Sequence, residues 1–369
     1  MSNDQTSELE EDSELQDSEC EDQLLGFNPS DIDIGVEALS LDILIDRIRH
    51  SEIDMNTDFQ RNPDLWDNRK MSRLIESILI RLPLPAFYFD ASEDDNWLIV
   101  DGLQRLSTIR KFVIENNLRL RNLEFLTNLN GTTYDRLNRN YQRRIKEYQI
   151  TVYKIKPGTP NDVKYSVFRR INTGGLTLNN QEIRNALAKP RDREFLKELT
   201  QIESTKVMLG DLSKRMKDQE LVLRFWAFYS FNFLDPKNKK DLASFLDKAM
   251  EELKTGNDDY RSEFKRTFSL AIDRCLEMLG TQGFAKNPLE VPHYKNSTLF
   301  EVWMVTMAGL SQSDYSNLQR KKTFFQEKAF SLLSDTDFFN SITFSTLKQD
   351  HVEIRYRKVN DLISEVLND

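Results

Sequence analysis

The chain has 369 residues, with 51 Lys and Arg against 60 Asp and Glu, and is 39% hydrophobic and 10% aromatic. That is enough apolar material for a core and enough length for about two domains, which excludes a globally disordered chain. Two cysteines and three histidines exclude a disulfide framework and a Cys- or His-rich metal site. No run approaches the ~20 apolar residues of a membrane span; the longest, 221–234, is interrupted by Arg224.

Residues 1–36 hold 12 of the acids and none of the bases, so the rest of the chain carries +3. The overall acidity therefore belongs to one segment and does not argue against a body that binds polyanions. Residues 1–35 read as an acidic, disordered tail, because a run of like charge cannot pack alone. The functional alternative is a DNA-mimicking or partner-docking segment that shields the body. With no apolar leader and few cysteines, the expected location is cytoplasmic.

Residues 36–190 alternate short strand and helix signals. Ser40 is placed to cap a helix over 41–49. An extended stretch at 53–55 leads into Asp58-Phe59-Gln60-Arg61-Asn62-Pro63. Asp67 can cap the next helix, in which Met71, Leu74, Ile75, Ile78 and Leu79 share a face opposite Arg69, Lys70, Arg73 and Glu76. Pro83-Leu84-Pro85 ends it. Strands are expected at 86–90 and 97–100. The second runs into Asp101-Gly102-Leu103-Gln104-Arg105 and a helix to about 115. Tyr134, Leu137, Tyr141, Ile145 and Tyr148 predict one helical face, and Arg136, Arg139 and Arg143 another, with Arg144 and Lys146 adjacent. Ile150, Val152 and Ile155 predict a strand, 163–171 a helix, Asn172-Thr173-Gly174-Gly175 a loop, and Asn180 the start of another helix. From about 191 onward amphipathic helices follow one another, the last with Val359, Leu362, Ile363, Val366 and Leu367 on one face.

Three segments carry candidate chemistry. In the Asp101 turn, a strand enters a glycine and opens a helix, whose free N–H groups suit a phosphate. Gly102 lets a ligand approach the backbone, Arg105 can clamp a phosphate, Asp101 can hold Mg²⁺ or act as a base, and Gln104 can orient a water. An ordinary Asp-Gly turn with a capping aspartate accounts for the same residues. The absence of G-x-x-x-x-G-K-[ST] excludes a Walker P-loop. Gln60 and Arg61 can line a polar pocket or a plain surface turn. Around the third segment, capping explains Asn172, Gly174, Asn179 and Glu182. It does not explain why Arg169, Arg170, Asn172 and Arg184 crowd around one glycine loop, a density of donors that suits an anion.

Together these segments resemble the N-terminal domain of GmrSD-type restriction proteins, which is similar to the ParB/sulfiredoxin fold. The resemblance rests on Phe59-Gln60-Arg61, Trp66, Ser77-Ile78-Leu79, Pro83-Leu84-Pro85, the Asp101–Arg105 pentapeptide, Phe168-Arg169-Arg170-Ile171-Asn172-Thr173-Gly174-Gly175 and Glu182-Ile183. One position departs: Leu103 stands where the family has glutamine, and leucine can neither coordinate nor hydrogen-bond, which puts hydrolysis in doubt.

The resemblance covers roughly 36–190 and implies a ParB/sulfiredoxin-like domain with a small mixed sheet there; the run of amphipathic helices predicts an all-α domain over 191–369, so the expected fold class is α+β. The resemblance also implies a nucleotide-binding domain, with NTPase activity the enzymatic expectation, in bacterial anti-phage defence, and Mg²⁺ and an NTP as cofactors. The expected catalytic residues are Asp101, Gln104 and Arg105, with Asp101 on the metal. The expected nucleotide contacts are Gln60, Arg61, Gly102, Thr108, Arg169, Arg170, Asn172 and Gly174. The C-terminal HNH nuclease of two-domain members is read as absent, since His293-Tyr294-Lys295-Asn296 is only a faint candidate.

Two other readings stay open. One is a DNA-binding or DNA-nicking module using Arg136, Arg139, Arg143 and Arg144. The other is an adaptor docking a separate effector protein through clusters such as Phe225-Trp226-Ala227-Phe228-Tyr229, which are otherwise core.

Overall fold

The computed structural model describes residues 33–55, 66–93, 95–171, 178–235, 241–289 and 294–369. Of these, the residues up to Leu187 form one unit and Ala188–Asp369 a second. The chain is α+β, with a small mixed sheet followed by helices.

In the first unit, strands β1 (Ile34–Ser40), β2 (Ile53–Asp54), β3 (Phe87–Asp90), β4 (Trp97–Asp101) and β5 (Gln149–Ile155) make one sheet in the order β1-β5-β3-β4-β2. β1 was not expected. Ile34 and Gly35 fall within the stretch assigned to the acidic tail, yet they pair with Ile155 and Lys154 of β5. β1 is antiparallel to β5, and β3 is antiparallel to β4. β5 is parallel to β3, and β2 is parallel to β4.

The two-residue period of the strands sends side chains to two apolar clusters. Phe87, Phe89, Trp97, Ile99, Ile150 and Val152 join the larger cluster, with α1 (Leu41–Arg49), α2 (Asn68–Leu79), α3 (Leu103–Ile109) and α4 (Arg139–Lys146). Val100 and Ile155 join the smaller, with α5 (Asn161–Ile171) and α6 (Asn180–Ala186).

Local chemistry explains most helix ends. Asp67 caps α2, its carboxylate accepting from Lys70 N–H at 2.7 Å. Ser40 occupies the cap position of α1, but its side chain makes no capping bond. α2 stops before the prolines: Arg81 takes a left-handed conformation, its N–H donates to the Ile78 carbonyl, and Leu82 N–H donates to that of Ser77. The face assigned to Tyr134 through Tyr148 is not one helix. Tyr134–Arg136 is a separate 3₁₀ turn, and α4 starts at Arg139 behind an Asn138 cap.

Glu76 is the second departure. It was placed on the polar face of α2, yet it is buried. Its carboxylate accepts from the N–H groups of Glu124, Phe125 and Leu126 at 2.7–3.0 Å and so ties the 118–133 loop to the helix. Burial pushes this carboxyl up. The three backbone donors and Arg73 outweigh it, and the net position is below the usual value.

Among the described residues the second unit is helical: α7 (Pro190–Thr200), α8 (Glu203–Leu209), α9 (Lys217–Ser230), α10 (Leu242–Thr255), α11 (Asp258–Leu279), α12 (Ser297–Gly309), α13 (Gln312–Arg320), α14 (Lys322–Ser331), α15 (Thr336–Ser341) and α16 (Gln349–Asn368). Phe225, Trp226, Ala227 and Phe228 are buried, so this run is core and only Tyr229 is exposed. No described helix is long and apolar enough to cross a membrane.

At the centre of this unit Glu301 of α12 is fully buried between two arginines. Arg224 Nε of α9 donates to it at 2.9 Å, and Arg355 Nη2 of α16 at 2.7 Å. The Tyr356 hydroxyl donates at 3.2 Å, and burial together with Glu301 holds its pKa well above the usual range.

Two outcomes follow from these buried carboxylates. Glu301→Ala leaves two buried guanidinium groups without their carboxylate and is expected to cost about 3–5 kcal/mol in urea unfolding. Joint replacement of Arg224, Glu301 and Arg355 by apolar residues of similar volume should recover most of that loss. Glu76 has a lowered folded pKa, so its contribution is present above the unfolded value of about 4.3. It is lost as the pH falls through the folded value, and Glu76→Gln should flatten the acid limb of the stability–pH curve.

Candidate functional site

Topology brings the Asp101 turn, the entry to β3 and the end of α5 toward one end of the sheet. β2 and β4 are parallel, so the chain leaves both at the end where Asp101 lies. β3 is antiparallel to β4 and enters there, after Pro85 and Ala86. β5 exits at the opposite end. There Lys164, near the start of α5, donates to Asp90 Oδ2 at 2.9 Å and to Ser92 Oγ at 2.6 Å. α5 then runs back, and Ile171 at its end and Leu178 before α6 pack on the same cluster as Val100 and Tyr88.

The turn itself is tightly determined. Gly102 has φ +104°, and a Cβ there would stand 2.5 Å from Phe87 Cδ1. Only glycine meets both conditions without strain. Arg105 is buried, with its guanidinium 4.5 Å from the Phe87 ring centroid. Its Nη1 donates to the Pro85 carbonyl, and its Nη2 donates to the Ala86 carbonyl at 3.1 Å and to Asp101 Oδ2 at 2.8 Å. Burial lowers its pKa, and Asp101 opposes that. The residue expected to clamp a phosphate thus already holds the entry to β3 and the end of β4 together.

Asp101 is part-exposed at the mouth of the turn. Gln104 is part-exposed on the first turn of α3. Thr108 is buried and its hydroxyl donates to the Gln104 carbonyl at 2.8 Å, so it is turned into the helix backbone. Leu103 is buried in the larger apolar cluster. Arg169 Nε donates to Asn180 Oδ1 at 3.0 Å, while Arg170 is exposed. Arg184, counted in the donor crowd, is 1% exposed, and its Nη1 donates to Gln181 Oε1 at 3.2 Å. Asn179 and Glu182 form the expected capping box. Gln60, Arg61, Asn172 and Gly174 lie outside the described residues.

Two side chains were not singled out from the sequence. Tyr88 of β3 and Tyr153 of β5 face each other with ring centroids 4.7 Å apart and planes at 8°. Tyr88 pairs with Asp101 in the strand register. Burial, then Tyr153 and Asp101, raise its pKa, so its hydroxyl stays protonated at neutral pH. Strand alternation is the signal that would have found them, since Phe87 and Phe89 claim the other face.

Among the described residues no group of three or more His, Cys, Asp or Glu side chains is placed to hold a metal ion. Asp101 offers one carboxylate, with one oxygen already bonded to Arg105. That suits only a cation carried in by phosphates, not a protein-built cage. His293 of the faint nuclease candidate lies outside the described residues. Lys295 donates to the Thr281 carbonyl at 2.6 Å and is pushed down to about 8 by burial. Asn296 caps α12. Arg139 and Arg143 are exposed on α4. Arg136 is exposed on the preceding turn, and Arg144 Nη1 lies 3.4 Å from the Leu79 carbonyl.

Residues 42–189 match the family model described as GmrSD restriction endonuclease, N-terminal domain. No curated protein and no solved structure matches the chain. The segment from 42 to 189 is thus similar to the GmrSD-type N-terminal domain, and it contains the whole Asp101 turn.

Gly102→Ala is expected to cost about 1–3 kcal/mol from backbone conformation alone. Contact with Phe87 adds to it. A lowered urea midpoint is the outcome that checks this, and an unchanged midpoint would show that the turn relaxes freely.

Proposed function

We propose that the GmrSD-type domain of this restriction-family protein binds a nucleoside triphosphate at the Asp101 turn, and that hydrolysis gates its engagement with DNA or with a separate effector protein. The observation that carries this reading is the meeting, at one end of the sheet, of the Asp101–Arg105 turn, the entry to β3 and the end of α5.

In this reading the phosphates meet the free N–H groups of the first turn of α3. Arg105 acts as a positioning residue: it fixes the Asp101 carboxylate and the β3 entry. Arg169 and Arg170 supply cationic donors, and Gln60, Arg61, Asn172 and Gly174 add contacts on sequence grounds. Mg²⁺ would come in with the triphosphate and offset its charge. Gln104 orients a water, and Asp101 takes its proton as it adds to the γ-phosphorus. The bridging P–O bond breaks and the nucleoside diphosphate leaves.

Phosphate release decides this. Asp101→Asn preserves shape and should lower turnover by about 10²-fold or more. Arg105→Ala should lower both turnover and stability. Unchanged turnover in folded Asp101→Asn overturns the assignment.

DNA contact is the second reading, favoured by the exposure of Arg136, Arg139 and Arg143. Gel-shift titration should show affinity falling steeply between about 50 and 200 mM salt. Arg139→Ala with Arg143→Ala should reduce that slope. No binding at low salt would remove this reading.

A further inference from the structure

We propose that the stacked Tyr88–Tyr153 pair is an aromatic platform for the base of the nucleotide whose phosphates lie at the Asp101 turn. This rests on the nucleotide reading above and adds the residues that recognise the base.

The pair belongs to one row across the sheet. Val36 of β1 is in register with Tyr153, Tyr153 with Tyr88, and Tyr88, beside a shift in the β3–β4 register, with Asp101. Neighbouring strands lie about 4.8 Å apart, so Tyr153 sits about 10 Å from the Asp101 position along this row. A ribose and phosphate chain have to bridge a separation of that kind between a stacked base and a bound phosphate.

The remaining features of the row also suit a ligand. Both rings are half-buried, so neither is consumed by the core. Tyr88 leans on the smaller apolar cluster, while Tyr153 belongs to neither cluster of this unit, and its ring contact is with Tyr88. Among the described residues neither hydroxyl has a hydrogen-bond partner, although a buried or interfacial tyrosine usually finds one. Val36 is 59% exposed, so the open end of the stack lies over an uncovered apolar side chain. Every base has a π-face, so such a platform binds nucleotides without selecting the base strongly.

A cross-strand aromatic pair that merely stabilises the sheet would look similar, and binding separates the two. The full chain is titrated with ATP, with GTP and with inorganic tripolyphosphate, which carries the charge but no base. The wild type should bind the nucleotides about five- to 150-fold more tightly than tripolyphosphate, the range that one stacked base supplies. Tyr153→Leu should abolish that difference and leave tripolyphosphate binding unchanged, whereas Tyr153→Phe should keep it.

Equal nucleotide affinity in wild type and in a folded Tyr153→Leu overturns the platform. Equal wild-type affinity for nucleotides and tripolyphosphate overturns the platform but leaves a phosphate site. No binding of either overturns the platform together with the nucleotide reading. Binding of a single-stranded oligonucleotide through Tyr153, without binding of mononucleotides, overturns it in favour of DNA contact.

Discussion

The first unit depends on where one guanidinium is spent. Arg105 bridges the carbonyls of Pro85 and Ala86 and the carboxylate of Asp101, so it clamps the start of β3 to the end of β4. Phe87 stacks beneath it and also crowds Gly102. The glycine must therefore be a glycine, the turn must be left-handed, and α3 must leave at one angle. A planar fork with fixed donor directions can set such a geometry, and a lysine at the same place could not. The consequence for chemistry is direct. The arginine of the pentapeptide holds the aspartate in place, which leaves Asp101 and Gln104 as the part-exposed polar side chains of the turn.

The second unit uses the same device in its core. Glu301 collects two arginines and a tyrosine from α9 and α16, and those partners also reach Ser297 and the Thr346 carbonyl. Desolvating three charges is costly, so such a cluster adds little stability over apolar packing. Its effect is on register, because a helix that slides by one residue strands a buried charge. Glu76 does for a loop what Glu301 does for helices: three N–H groups that no helix or strand satisfies are gathered on one carboxylate.

The elements that were legible in the sequence are those set by local chemistry. Asp67 and Asn179 cap helices as read, and the apolar faces of α2 and α16 are buried as read. What was not legible depends on contacts distant in sequence. Ile34 and Gly35 look like the end of an acidic tail until β5 pairs with them. Glu76 looks like one more polar residue on an exposed helix face, and only a loop some 50 residues later shows otherwise. Tyr134 and Leu137 fit a helical period with Tyr141, but the Asn138 cap restarts the helix and breaks the face. At the site, the Asp101 turn was visible as a motif, yet the motif could not reveal that Arg105 and Thr108 face inward.

Leu103 is where the sequence and structural readings come apart most usefully. As a departure from the family's glutamine, it raised the question of whether the turn could still support hydrolysis. In the fold its side chain lies in the apolar cluster with Leu106 and Ile109, on the side of α3 that packs toward α2. A leucine there is well placed for burial, and a glutamine in the same pocket would leave a buried amide needing partners. The exchange is thus accounted for by packing. The polar groups at the mouth of the turn, Asp101 and Gln104, stay part-exposed and take no part in that burial.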